Sequence, residues 1–111
     1  MIACIPVAAD DVTAPGWGRA HRVAVADVSN GQITDWRTVD VGWDTAHDEG
    51  TEGAHHARVA RFLIDQHIEI VVAQHMGPGM TRMLSGMGLP VALGAGPDAR
   101  DAVVAAVQQL A

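Results

Sequence analysis

The stretch from Ile68 to Met80 constrains this chain more than any other. Ile68-Glu69-Ile70-Val71-Val72-Ala73 is apolar and β-branched, and it discharges directly into Gln74-His75-Met76-Gly77-Pro78-Gly79-Met80. β-Branched residues fit a pleated sheet, so the first half reads as a buried strand. The Gly-Pro-Gly that follows stops the strand, permits unusual backbone angles and opens a helix whose first N–H groups point outward. Gly77 and Gly79 thus bring bare backbone close to a ligand, and His75 and Met76 sit at the mouth. An imidazole and a thioether there suit a soft or borderline metal.

The rest of the chain supplies the layers around that strand. Met1 to Val7 is apolar almost throughout and reads as a central strand. Ala8 to Ala20 is rich in turn residues. His21 to Val28 and Ile33 to Val41 form two strands joined by Ser29-Asn30-Gly31, a tight turn that makes them a hairpin. Gly42 to Gly53 is polar and acidic without periodicity and reads as a long mobile loop. Ala54 to Gln66 carries Val59, Phe62 and Leu63 at helical spacing. A short helix over about Met80 to Met87 leads to the strand Pro90 to Leu93. Pro97 and Asp98 then open a terminal helix with Val103, Val104 and Val107 on its buried stripe. The order is βββαβαβα, a single α/β domain over 1–111.

Connection rules convert that order into a candidate site. The hairpin makes strand two antiparallel to strand one, and helical crossovers keep strands four and five parallel to it. Ligands of open α/β sheets bind beyond the carboxyl ends of the strands. That edge collects five of the six histidines, His21, His47, His55, His56 and His75, and leaves out only His67.

Charge and composition exclude whole classes of function. The net charge is −6 and there is no lysine, which argues against nucleic-acid and anionic-membrane binding. No apolar run approaches a membrane span, and with no leader before the first strand a cytoplasmic location is expected. The single cysteine, Cys4, cannot form an intramolecular disulfide, and inside a central strand it reads as an inert buried thiol. A nuclease needs converging carboxylates and a basic groove, and Asp10, Asp27 and Asp35 do not visibly converge.

Four pieces of the chain carry a family resemblance. They are Ile2-Ala3-Cys4-Ile5-Pro6-Val7, Ala14-Pro15-Gly16-Trp17-Gly18-Arg19-Ala20, the loop holding His47, His55 and His56, and His75-Met76-Gly77-Pro78-Gly79-Met80. Together they resemble the dinitrogenase iron–molybdenum cofactor biosynthesis family, small domains related to the nitrogenase accessory proteins that carry cofactor precursors. The resemblance covers essentially the whole chain. It implies a ribonuclease H-like three-layer α/β/α fold with a mixed five-stranded sheet in the order 3-2-1-4-5. One departure stands out: the family motif has His before Phe-Gly-Arg, and this chain has Gly16 before Trp17, so one expected metal or cluster contact is missing.

The candidate residues each have a plainer role beside the functional one. His47, His55, His56 and His75 are the candidate metal ligands, yet His55 and His56 are helix neighbours separated by about 100° and cannot both face one ion from within the helix. A histidine at a helix start is also an ordinary exposed polar residue, and His75 an ordinary hydrogen-bonded loop imidazole. Arg19, in a glycine-flanked turn, presents a fixed fork to an anion or merely holds the turn through Asp10 or Asp11. Arg19, His75, Gly77 and Gly79 are the candidate cofactor-binding set, with no catalytic residue. The expected function is a non-enzymatic carrier or chaperone that binds an iron–sulfur cluster, an iron–molybdenum cofactor precursor or a metal ion at the His-rich edge. It would act as a monomer or weak homodimer and pass its cargo to a metallocofactor-assembly or acceptor protein. The alternative is a metal-free interaction or small-anion-binding module that kept the fold and lost cluster binding.

Overall fold

The computed structural model describes residues 1–46 and 49–110. Its sheet is built on β1 (Ile2–Pro6), which pairs antiparallel with β2 (Arg22–Ser29) on one side and parallel with β4 (Ile70–Val72) on the other. β3 (Gln32–Asp40) extends the β2 side antiparallel, and β5 (Val91–Ala92) extends the β4 side parallel. The order is β3-β2-β1-β4-β5, so the mixed sheet and the central position of the first strand agree with the expectation from sequence.

The hairpin owes its register to its turn. Asn30 and Gly31 are the two loop residues, with φ of 54° and 74°, and Ser29 faces Gln32 across them. Positive φ at both central positions gives a turn whose twist matches that of the flanking strands. β4 is only three residues long, yet Ile68 and Ala73 beyond its ends are buried with it.

Side-chain alternation divides the core into two layers, as the period of two in a strand requires. Cys4, Val23, Val25, Val71 and Ala73 face one side, where they meet Val59 and Leu63 of α2 (Glu52–Asp65) and Met80 and Leu84 of α3 (Pro78–Gly86). Ala3, Ile5, Ala24, Ala26, Ile70 and Val72 face the other, covered by Ala99, Val103 and Ala106 of α4 (Ala99–Leu110). Helices on both faces of one sheet make the three-layer α/β/α arrangement of a ribonuclease H-like fold.

The acidic segment after β3 corrects one expectation. Instead of a loop from Gly42 to Gly53, a single turn of helix, α1 (Trp43–Ala46), follows the strand, and α2 already begins at Glu52. Trp43 anchors α1: it is 1% exposed and packs edge-on against Trp17 and Phe62, with ring centroids 5.2 and 5.6 Å apart. The acidic composition of the segment hid that one aromatic anchor. Thr51 caps α2, its hydroxyl accepting from the Ala54 N–H at 3.0 Å. His47 and Asp48, on which much of the mobile-loop expectation fell, lie outside the described residues.

Candidate functional site

Two adjoining hollows open at the carboxyl edge of the sheet, on either side of the segment Gly16 to Ala20. The larger, a cleft of about 510 Å³, is walled by Val7 and Ala8 just beyond β1, by Ala14, Pro15, Gly16, Arg19 and Ala20, by His21 before β2 and Arg22 at its start, and by His75 beyond β4. The smaller, about 220 Å³, lies between the starts of α2 and α3 and is lined by Gly18, Glu52, His55, His56, Gly77, Pro78, Gly79 and Met80.

The walls of the cleft are set by short pairings. Gly16 forms a parallel bridge with His75, and the Ala14 N–H donates to the Pro6 carbonyl at 2.9 Å. These contacts draw the segment after β1 against the segment after β4, which places His75 in the cleft. A Cβ built on Gly16 would lie 3.6 Å from His75 Cε1, ordinary van der Waals contact. The imidazole of His75 therefore stands directly beside the position where the family motif has its histidine.

Among the described residues, the ionisable side chains that line the cleft are Arg19, His21, Arg22 and His75, with no carboxylate. Two of these are braced from outside the cleft. Arg22 Nε donates to Asp40 Oδ1 at 2.7 Å, and this hydrogen bond, followed by the charge of Arg22, holds the Asp40 carboxyl below its ordinary range. His21 Nδ1 lies 3.3 Å from Asp44 Oδ1, which ties the rim of the cleft to α1. Asp11 is engaged away from the cleft: it accepts from Trp36 Nε1 at 3.2 Å and from Arg100 Nε at 3.1 Å, while the Arg100 guanidinium lies 4.6 Å over the Trp36 ring.

The histidines at this edge divide between the two hollows. His75 and His21 line the cleft, whereas His55 and His56 line the smaller space. His55 departs from the role of a metal ligand. It is 2% exposed, its Nε2 lies 2.8 Å from the Gly18 carbonyl, and its Nδ1 lies 3.2 Å from Arg58 Nη1. Since a carbonyl only accepts and a guanidinium only donates, Nε2 carries the hydrogen and Nδ1 the lone pair, and both nitrogens are occupied. Position four of α2 faces the core, and a buried imidazole there must be hydrogen-bonded. His56 turns the other way, with Nε2 3.6 Å from Glu52 Oε1. Among the described residues no three His, Cys, Asp or Glu side chains converge as a metal site, and His47 lies outside them.

Gly77 and Gly79 stand at the start of α3, with Gly77 as N-cap and Pro78 as the first helical residue, and they line the smaller hollow, apart from Arg19 and His75 in the cleft. Gly79 also answers a steric demand: a Cβ there would come within 3.1 Å of both Glu52 Oε1 and His56 Cε1. Arg22 is the one participant that the sequence reads only as part of a strand. His21 stands on the expected edge, where it and His75 are the histidines able to compensate for the missing motif imidazole, and Glu52, an oxygen donor in the acidic segment, lies in the first turn of α2. For Glu52 the signal was present, because Glu52 and His56 are spaced i, i+4.

Cys4 is the inert thiol that its place in the central strand suggested. It is fully buried, and burial pushes its pKa far above the ordinary thiol range. No helix is long and apolar enough to cross a membrane among the described residues.

A sequence model of the family described as "Dinitrogenase iron-molybdenum cofactor" matches residues 1–109. No curated protein matches the chain. Among solved structures, the apo form of the orange protein from Desulfovibrio gigas superposes with a TM-score of 0.76 at 20% identity, over 97% of this chain and 88% of that one. A Thermotoga protein provisionally named NifB gives 0.69 at 21% identity, over 96% and 87%. A Methanocaldococcus jannaschii protein provisionally named a dinitrogenase gives 0.70 at 6% identity, over 98% and 89%. At these identities the structural likenesses show the fold.

Proposed function

Because the chain belongs to the dinitrogenase iron-molybdenum cofactor family, we propose that it is a non-enzymatic carrier that holds an iron–sulfur or iron–molybdenum cofactor precursor in the larger cleft and hands it to an assembly or acceptor protein. The observation that carries this reading is the lining of the cleft: two arginines, two histidines, otherwise small apolar residues and, among the described residues, no carboxylate. Such a wall attracts an anionic cargo, although Asp40 and Asp44 behind Arg22 and His21 offset part of its charge. Apolar Val7, Ala8, Ala14 and Pro15 shield it from water, and arginine with imidazole supplies hydrogen bonds to sulfide or oxide ligands. His75, beside Gly16, is the side chain that would contact the metal, with Arg19 as the anion fork and the Gly77 and Gly79 backbone flanking the neighbouring hollow. The absence of a cysteine ligand set favours release over permanent retention. The cargo chemistry calls for a reducing, cytoplasmic setting, with the chain acting as a monomer or weak homodimer.

The test is anaerobic titration of the chain with a synthetic anionic iron–sulfur cluster, followed by visible absorption and elemental analysis. Uptake by the wild type, and weakened uptake by His75→Ala with nearly unchanged melting temperature, is the expected result. Failure of the wild type to retain iron or molybdenum would move support to a metal-free small-anion-binding or interaction module. Gly16, which removes the imidazole present in the family motif, is the residue that favours that second reading.

A further inference from the structure

We infer that the outer edge of β3 is a pairing surface for a second copy of this chain, joined antiparallel about a two-fold axis at Trp36. β3 ends the sheet order, so one side of this 9-residue strand has no neighbouring strand among the described residues. A bare edge of that length is a template for another strand. The sequence of the strand fits itself. With Trp36 facing its own copy across the axis, Asp35 meets Arg37 of the second copy, Arg37 meets its Asp35, and Thr34 and Thr38 face each other on both sides.

The backbone presents the groups that this register needs. The Arg22 carbonyl accepts from the Val7 N–H at 3.0 Å and the Val28 N–H donates to the Met1 carbonyl at 2.9 Å, so the even-numbered residues of β2 bond toward β1. Alternation then turns Val23, Val25 and Asp27 toward β3, where they face Val39, Arg37 and Asp35. The N–H and C=O groups of Trp36 and Thr38 therefore point away from β2, toward the open edge. The two Trp36 residues exchange both hydrogen bonds on the axis, and Asp35 and Arg37 form the closer, non-hydrogen-bonded pairs beside them. Within one chain Asp35 faces Asp27 across the hairpin, a like-charge pair, and has no ion-pair partner among the described residues. A guanidinium from the second copy relieves that repulsion. Arg37 can supply it, since its bond to Gln66 uses Nη2 and leaves Nε and Nη1. The register shift between Asp27 and Val28 limits the contact: Ile33 packs in the α4 layer and Val39 in the α2–α3 layer, so these two would stand on opposite faces and pairing stops at Thr34 and Thr38. Pairing this short makes a weak, reversible dimer. Its axis, perpendicular to the sheet, points the two carboxyl edges in opposite directions and leaves both clefts open.

Sedimentation velocity of the whole chain at rising concentration tests the edge. The wild type should pass reversibly from monomer to dimer. Asp35→Arg and Arg37→Asp should each weaken the dimer by roughly tenfold or more, because each sets like charges opposite one another on both sides of the axis, while circular dichroism shows the fold intact. An equimolar mixture of these two variants, and the double variant Asp35→Arg/Arg37→Asp, should restore association. Hydrogen exchange locates the contact: the amides of Trp36 and Thr38 should gain protection with concentration, and that of Arg37, already bonded to β2, should not change. A wild type that stays monomeric at millimolar concentration would leave the edge to another protein's strand and overturn the inference. A dimer indifferent to Asp35→Arg, or a variant mixture that stays monomeric, would overturn it as well.

Discussion

His55 and His75 have the same side chain and opposite duties. His55 donates to the Gly18 carbonyl and accepts from Arg58 inside the core, whereas His75 stands in an open cleft beside a glycine. Removing a buried, doubly bonded imidazole leaves a carbonyl without its donor and a void, so His55→Ala should lower stability by about 2 kcal/mol. His75→Ala should change stability by less than about 0.5 kcal/mol, as surface substitutions do. Parallel chemical denaturation of the two variants checks the contrast, and equal losses would contradict it. Sequence placed both residues on the correct edge but could not separate them. Which face of α2 meets the core depends on where the helix starts, and Thr51 caps that start. Cys4 offers a second test. Its thiol titrates at its ordinary value in the unfolded chain and well above it in the native one. Above about pH 8.5 the native state therefore holds a proton that the unfolded state has lost, and stability falls as pH rises, by up to about 1.4 kcal/mol per pH unit. Denaturation midpoints measured from pH 8 to 10 should show that slope in the wild type and not in Cys4→Ala. Thiol labelling of the wild type should proceed at the rate of global opening.

At the level of elements, caps and turns decide how well the site is held. Thr51→Ala removes the N-cap of α2 and should cost about 1 kcal/mol, visible as a lower melting temperature. The hairpin, the crossover helices and the sheet order were legible because each rests on local chemistry: Asn30-Gly31 for the turn, β-branched runs for the strands, and Gly77-Pro78 for the start of α3. The division of the edge into two hollows was not. It arises from long-range contacts, chiefly the bridge between Gly16 and His75, which no spacing along the chain reveals. The Arg22–Asp40 pair likewise joins the ends of two hairpin strands. Because the Asp40 carboxyl is held low, its carbon resonance should titrate below the usual carboxylate range, and Arg22→Ala should return the midpoint to that range. An unchanged midpoint in the variant would show that the pair is not formed in solution.

For the whole molecule, the placement of the three tryptophans matters beyond packing. Trp17 lies between Gly16, which lines the cleft, and Gly18, which lines the smaller hollow, and it is stacked edge-on against Trp43 in the α2–α3 layer. Trp36 sits on the far face of the sheet under Arg100. Trp17 is thus next in the chain to residues of both hollows, while Trp36 packs on the opposite face of the sheet and bonds to Asp11. A dark, strongly absorbing cargo entering the cleft accepts excitation energy from the indoles of so small a molecule. The molecule carries its own optical gauge of loading: Trp36→Phe would leave an emission signal that reports occupancy of the edge, with the remaining chromophores already in position.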